Sequence, residues 1–318
     1  MPIELVYDVL YEIASHFREN IPMLRSFLLL NRAWFWTIVP WLWSDPCAYI
    51  LGGQRVAEKS RAFILTFVGC IEDKQQQDLS FKLLHNEDSF NSTGSYINYA
   101  RYLEELMDDY LMAVVSEALG TDTSIDKAHS LTEALLRHCS LTAVRIKKLT
   151  ITRSYEFELY HLFRANPSPI TVFTLDHRSA GYHWLLLLYV KEALTEVIII
   201  KSGRELDCIL NMLESRENPL LHLILLQQKF DIVEKDIVKS VPQRLPYLNE
   251  FTILPDLTSD IETLESLLGD RMDIVTKTDY GITFARKMLT SDAKKSIEHV
   301  TIDEETFPDV SFGFQQFW

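Results

Sequence analysis

From residue 144 onward the apolar positions fall into one recurring word, apolar-x-x-apolar-x-apolar. It occurs at Ile146/Leu149/Ile151, Ile170/Phe173/Leu175, Leu194/Val197/Ile199, Leu220/Leu223/Leu225, Leu248/Phe251/Ile253 and Ile297/Val300/Ile302. The first four steps are 24, 24, 26 and 28 residues, and the last gap of 49 residues leaves room for a degenerate copy near Met272/Val275. Between the words the period changes. Leu206, Ile209, Leu210 and Leu213 share one helical face, and Ser259-Asp260-Ile261-Glu262 reads as a capping box opening a helix through Leu268. A strand-and-helix unit of this length can bury its apolar side only against its neighbours, so the pattern predicts an α/β series of stacked repeats over 144–318. The alternative is a generic α/β domain with a strand every two dozen residues.

The N-terminal pattern is helical. Val6, Val9, Leu10, Ile13 and Phe17 recur at three- and four-residue steps, with Glu4, Asp8 and Glu12 on the wet side. Pro2 and Pro22 suit helix starts, where the missing N–H has no partner to lose, so a second helix is predicted through Met23 to Leu30. A third runs from about Arg32 to the Trp-rich stretch ending near Trp43. Three helices in so few residues bury little surface and need a neighbour. Trp34, Trp36, Trp41 and Trp43 either form the core of a small helical domain or supply apolar area to a partner. Ser44-Asp45-Pro46 and Gly52-Gly53 are turn signals that end this module. The region 47–143 then reads as a helical linker. Val56, Phe63, Ile64, Phe67 and Val68 share one face, and Leu103, Leu106, Tyr110, Val114 and Leu119 predict a helix from Tyr102 to Leu119. A polar loop separates them over 75–95, and Ser130-Leu131-Thr132-Glu133 suggests a capped helix from Leu131 to Leu141.

The first 43 residues resemble an F-box. The family's opening helix appears as Met1-Pro2-Ile3-Glu4-Leu5, with Val9-Leu10 and Ile13 following; Leu29-Leu30-Asn31-Arg32-Ala33-Trp34 and the pair Leu42-Trp43 complete the register. With the repeats behind it, the chain is similar to F-box proteins of the fungal type with irregular leucine-rich repeats, although the Asn or Cys that usually follows the repeat strand is absent. The resemblance implies three parts: an F-box over 1–46, a helical linker over 47–143, and a leucine-rich-repeat-like solenoid with an aromatic C-terminal tail over 144–318. It implies the substrate-recognition subunit of a Skp-cullin-F-box ubiquitin ligase, non-catalytic itself, in the cytoplasm or nucleus; a non-degrading F-box and leucine-rich-repeat scaffold or protein-interaction module is the alternative. Pro2, Leu5, Val9, Leu10, Leu30, Trp34 and Trp43 occupy the motif positions that would bind the Skp adaptor, and through it a cullin.

Composition changes the picture mainly by exclusion. A formal net charge of −14, with no basic run longer than Arg145-Ile146-Lys147-Lys148, argues against a nucleic-acid partner. The longest apolar run, Trp184 to Val190, is too short to span a bilayer, and acidic residues interrupt any leader-like core. Cys47, Cys70, Cys139 and Cys208 have no paired spacing, which suits a reducing compartment. No phosphate-cradling glycine motif occurs, and no cofactor is expected. His129, His138 and Cys139 make a poor metal set, because the two His lie on opposite faces of a helix. Asp122-x-Ser124-x-Asp126 imitates a calcium loop but has Lys127 where the turn demands Gly. Asp176-His177 and Glu298-His299 lack a nucleophile in any recognisable elbow.

The repeat register also places a candidate target site. Residues flanking the inward apolar pair of each strand point to the opposite face, expected to be concave. There the outer repeats are polar, whereas Ile198, Ile200, Ile224, Leu226 and Leu254 would form an apolar patch ringed by Glu196, His222 and Glu250. We take Ile198, Ile200, His222, Ile224, Leu226 and Leu254 as the candidate binding residues for a protein target. Burial of these strands on both faces, or a covering helix or tail, is the competing expectation. The tail Ser311 to Trp318, with three Phe and a Trp, is expected to cap the last repeat.

Overall fold

A computed structural model describes residues 3–17, 20–72, 74, 77, 80, 97–120, 123–152, 170–176, 187, 193–200, 205–215, 220–228, 232–255, 260–268, 272–277 and 282–286. Pro2, the strand word at Ile297/Val300/Ile302 and the aromatic tail lie outside the described residues.

The N-terminal helices form where the sequence places them. They are α1 (Ile3–Ser15), α2 (Ile21–Leu28) and α3 (Arg32–Leu42). Asn20 caps α2, its side-chain oxygen accepting from the Met23 amide, and Asn31 caps α3 by accepting from both Ala33 and Trp34. Ala14, Leu24 and Ile38 form a small core of their own, flanked by Phe17, Ile21, Phe27, Leu28, Trp34 and Leu42. Asp45 caps α4 (Pro46–Leu51), and α5 (Val56–Val68) buries Phe63, Ile64, Phe67 and Val68 in the main core. Gln77 and Ser80, within the stretch expected as a polar loop, are helical and buried; Gln77 donates to the carbonyls of Val68 and Gly69 at the end of α5.

The helix expected from Tyr102 to Leu119 is divided. Tyr99–Tyr102 is a 3-10 turn, Glu105–Met107 is a strand, β1, and only Asp108–Leu119 is helical, α6. Helix α6 stops at Gly120, whose φ of 84° few other residues adopt. The next helix, α7 (Ile125–Thr142), starts earlier than expected, capped by the Ser124 hydroxyl on the Lys127 amide, which leaves Ser130 inside the helix.

The sheet then grows strand by strand: β2 (Lys148–Ile151), β3 (Val172–Asp176), β4 (Glu196–Ile200), β5 (His222–Gln228) and β6 (Glu250–Pro255). From β1 to β6 every neighbour is parallel and in sequence order. The register reproduces the word in the sequence: Leu149, Phe173, Val197, Leu223 and Phe251 are cross-strand partners, as are Ile151, Leu175, Ile199, Leu225 and Ile253. All ten are at most 3% exposed. Helix α8 (Glu205–Glu214) packs Leu206, Ile209, Leu210 and Leu213 into the same core, and α9 (Ile232–Arg244) and α10 (Asp260–Leu268) add Val238, Val241, Leu264 and Leu268.

After β6 the parallel series ends. The copy expected near Met272/Val275 is a strand, β7 (Met272–Lys277), but it pairs antiparallel with β8 (Ile282–Arg286), and β8 is the strand that joins β6, also antiparallel. A short connection between 277 and 282 is compatible only with a hairpin, whereas a parallel step needs a dozen or more residues. No helix among the described residues is long and apolar enough to cross a membrane.

Candidate functional site

Two surfaces stand out, one on the N-terminal helices and one on the sheet. Helix α1 is apolar around more of its circumference than its own core uses. Ala14 is fully buried in the small core, and Leu10, one turn before it, is half-buried. Val9 and Ile13 lie about 100° further round the helix, and they stay 50% and 39% exposed. The periodicity reading of α1 therefore joined two faces into one stripe. In the turn between α2 and α3, Leu29 and Leu30 are 88% and 60% exposed. Leu5 lies in α1, with its side chain outside the description.

The two candidate tryptophans have different surroundings. Trp34 is half-buried and stacks on Phe27 with ring centroids 4.6 Å apart, inside the small core. Trp43 belongs to the main core instead. Its ring stacks on Tyr99 at 4.2 Å and on Phe67 at 6.2 Å and lies tilted to Phe63 at 5.5 Å, and it remains only partly buried. On the side of α1 away from Val9, a half-open cavity of about 340 Å3 is lined by Tyr7, Asp8, Tyr11, Trp36, Trp41 and neighbours including Glu104 and Arg145.

Among the described residues, the face of the sheet opposite the buried rows is open and consists of three cross-strand rows. The first runs Glu105, Lys148, Val172, Glu196, His222, Glu250; the next Met107, Thr150, Thr174, Ile198, Ile224, Thr252; and the third places Asp176, Ile200, Leu226 and Leu254 in line. All six candidate residues, Ile198, Ile200, His222, Ile224, Leu226 and Leu254, are half-buried, alternating along each strand with the fully buried inner rows. Flat neighbours in a sheet shield one another's flanks, so partial exposure is what an uncovered row retains. Exposure along these rows is uneven: Thr174, in line with Ile198 and Ile224, is buried. His222 Nδ1 lies 3.2 Å from a Glu250 carboxylate oxygen, and Lys148 pairs with Glu105 at 2.8 Å.

One backbone motif repeats beneath this face. A single carbonyl just before each strand accepts two successive amides of the next: Glu104 from Lys147 and Lys148, Lys147 from Thr171 and Val172, Thr171 from Thr195 and Glu196, Thr195 from Leu221 and His222, and Leu221 from Asn249 and Glu250. The series has a member ahead of β1, because the Ser44 carbonyl accepts the Glu104 and Glu105 amides at 2.9 and 3.0 Å. The turn after α3 thus takes the position of a preceding strand.

Sequence reasoning missed Asp108, which belongs to the same register. Leu103-x-x-Leu106-x-Asp108 is the repeat word with a carboxylate at its third apolar position. Asp108 is fully buried; its oxygens accept the Thr152 amide at 2.9 and 3.0 Å and the Thr152 hydroxyl at 3.0 Å.

Among the described residues, no catalytic constellation emerges. Cys47 and Cys139 have thiol pKa values pushed up by burial, which keeps them protonated and inert. His138 is buried in α7, edge-on to Phe67, and burial lowers its pKa to about 4. Among the described residues, no three His, Cys, Asp or Glu side chains converge as metal ligands would. Compared with known proteins, the chain matches no family model, no curated protein and no solved structure.

Proposed function

We propose that the chain is a substrate-recognition subunit of a Skp-cullin-F-box ubiquitin ligase. In this reading α1 to α3 are the F-box, the parallel strands are an irregular leucine-rich-repeat solenoid closed by the β7–β8 hairpin, and the open face holds a protein target. The observation that carries it is exposure at the motif positions: Ala14 serves the small core, while Val9 and Ile13 on α1 and the motif residue Leu30 are left exposed. A helix with a second apolar stripe in water is a helix with a partner. Val9, Leu10, Leu30 and the edge of Trp34 supply adaptor contacts, with Pro2 and Leu5 at the start of the same motif; Trp43 holds the module to the body. The chain contributes positioning, which raises the effective concentration of target near the transferring enzyme.

The test is affinity purification of the full chain from cells, with and without proteasome inhibition. Recovery of a Skp adaptor and a cullin, together with a target that accumulates on inhibition, supports the ligase reading. Recovery of adaptor and a target whose level never responds makes the complex a non-degrading scaffold. Absence of any adaptor contradicts both.

A further inference from the structure

The open face has a charge pattern that specifies its occupant, and the inference rests on reading that face as the target site. Glu196, His222 and Glu250 are direct cross-strand neighbours at one end of the apolar rows. Strands lie about 4.8 Å apart, which sets the two glutamate stems about 10 Å from each other with His222 between. The nearby lysines are already engaged: Lys147 pairs with Glu104 at 2.9 Å and Lys148 with Glu105 at 2.8 Å. Glu196 makes no ion pair among the described residues, and Glu250 meets the His222 ring. Ile198 and Ile224 follow two residues along the strands, and Ile200, Leu226 and Leu254 two further.

We propose that the partner is an extended protein segment with the pattern basic-x-apolar-x-apolar, read in either direction, laid along β4 and β5. An extended chain advances about 7 Å for every two residues, the spacing of the three rows, so a Lys or Arg over His222 reaches both glutamates while the two apolar side chains seat on the rows beyond. A neutral or acidic segment would desolvate Glu196 and Glu250 without compensation, which costs binding and excludes it. The net charge of −14 adds steering of the same sign.

The test selects phage-displayed random peptides on the full-length chain and then measures the binding of the selected peptides to Ile198→Thr/Ile224→Thr. Threonine already occupies this row at Thr150, Thr174 and Thr252, so that variant keeps its strands. The expected peptides carry Lys or Arg two positions from the first of two alternating apolar residues. Their affinity should fall about tenfold on Glu196→Gln/Glu250→Gln, with most of the salt dependence lost. Selected peptides that lack the basic residue, or that bind the Gln variant unchanged, overturn this partner chemistry and leave the docking face standing. Peptides that bind the Thr variant as well as the wild type, or no selected binders at all, refute the docking face itself.

Discussion

The carboxylate of Asp108 holds the backbone amide of Thr152, 44 residues away, at 2.9 and 3.0 Å. In the parallel ladder the Lys148 amide meets the Glu104 carbonyl, and by the alternation of such ladders the Thr152 amide would meet the Asp108 carbonyl. That carbonyl is lost to the sheet because the chain turns into α6 at Asp108. The side chain takes over the bond. Asp108→Ala should therefore leave a buried amide and hydroxyl unsatisfied and cost about 2 to 4 kcal/mol. Asp108→Asn should cost less, since it retains one acceptor. Urea midpoints of the two variants check this, and a loss below about 1 kcal/mol for alanine would contradict it.

Trp43 and Val9 should respond in opposite ways. Trp43→Ala removes a ring packed on Tyr99, Phe63 and Phe67 and should lower stability by about 2 to 3 kcal/mol. Val9→Asp changes an exposed residue and should shift the melt by less than about 0.5 kcal/mol. Equal losses in the two melting curves would show that the α1 stripe is internal packing.

His138 makes the fold acid-sensitive. Its pKa falls from 6.5 to about 4 because burial disfavours the imidazolium. As pH drops through that window the unfolded chain takes up a proton that the folded chain refuses, so stability falls. Relative to His138→Leu, the wild type should lose about 3 kcal/mol between pH 7 and pH 4. Parallel stability–pH curves for the two proteins would refute the buried neutral ring.

Arg244 ties α9 to α8. Its guanidinium donates to Asp207 and Asn211 at 2.7 Å and to Glu214 at 3.2 Å. Arg244→Lys cannot span three acceptors and should cost about 1 kcal/mol, a modest figure because both carboxylates are half in water. Thermal melts at low and high salt should show the wild-type advantage shrinking as salt rises.

The repeat word in the sequence located β2 through β6 and their buried rows, because a period-two strand with one buried face leaves a clear trace in residue type. It did not reveal β1, where one Asp108 in place of an apolar residue let Leu106 pass as part of a helical face. Nor did it show that β7 and β8 form a hairpin, since strand direction is set by connection length and not by apolar spacing. The split of α1 into two faces was illegible for a related reason. Val9 and Leu10 both read as apolar, and only the folded helix shows Val9 exposed, Leu10 half-buried and Ala14 fully buried. The role of Trp43 depends on Tyr99 and Phe67, partners distant in sequence that no local pattern names.

Adaptor docking by the N-terminal helices is tested by a binding titration of the full-length chain with purified Skp adaptor, comparing wild type with Val9→Asp/Leu30→Asp. Both residues are exposed, so the variant should melt as the wild type does. A stable wild-type complex is expected, with an affinity loss of about a hundredfold in the variant. A wild-type chain that does not bind, or a variant that binds equally well, would contradict the assignment of the N-terminal helices as an adaptor-docking module.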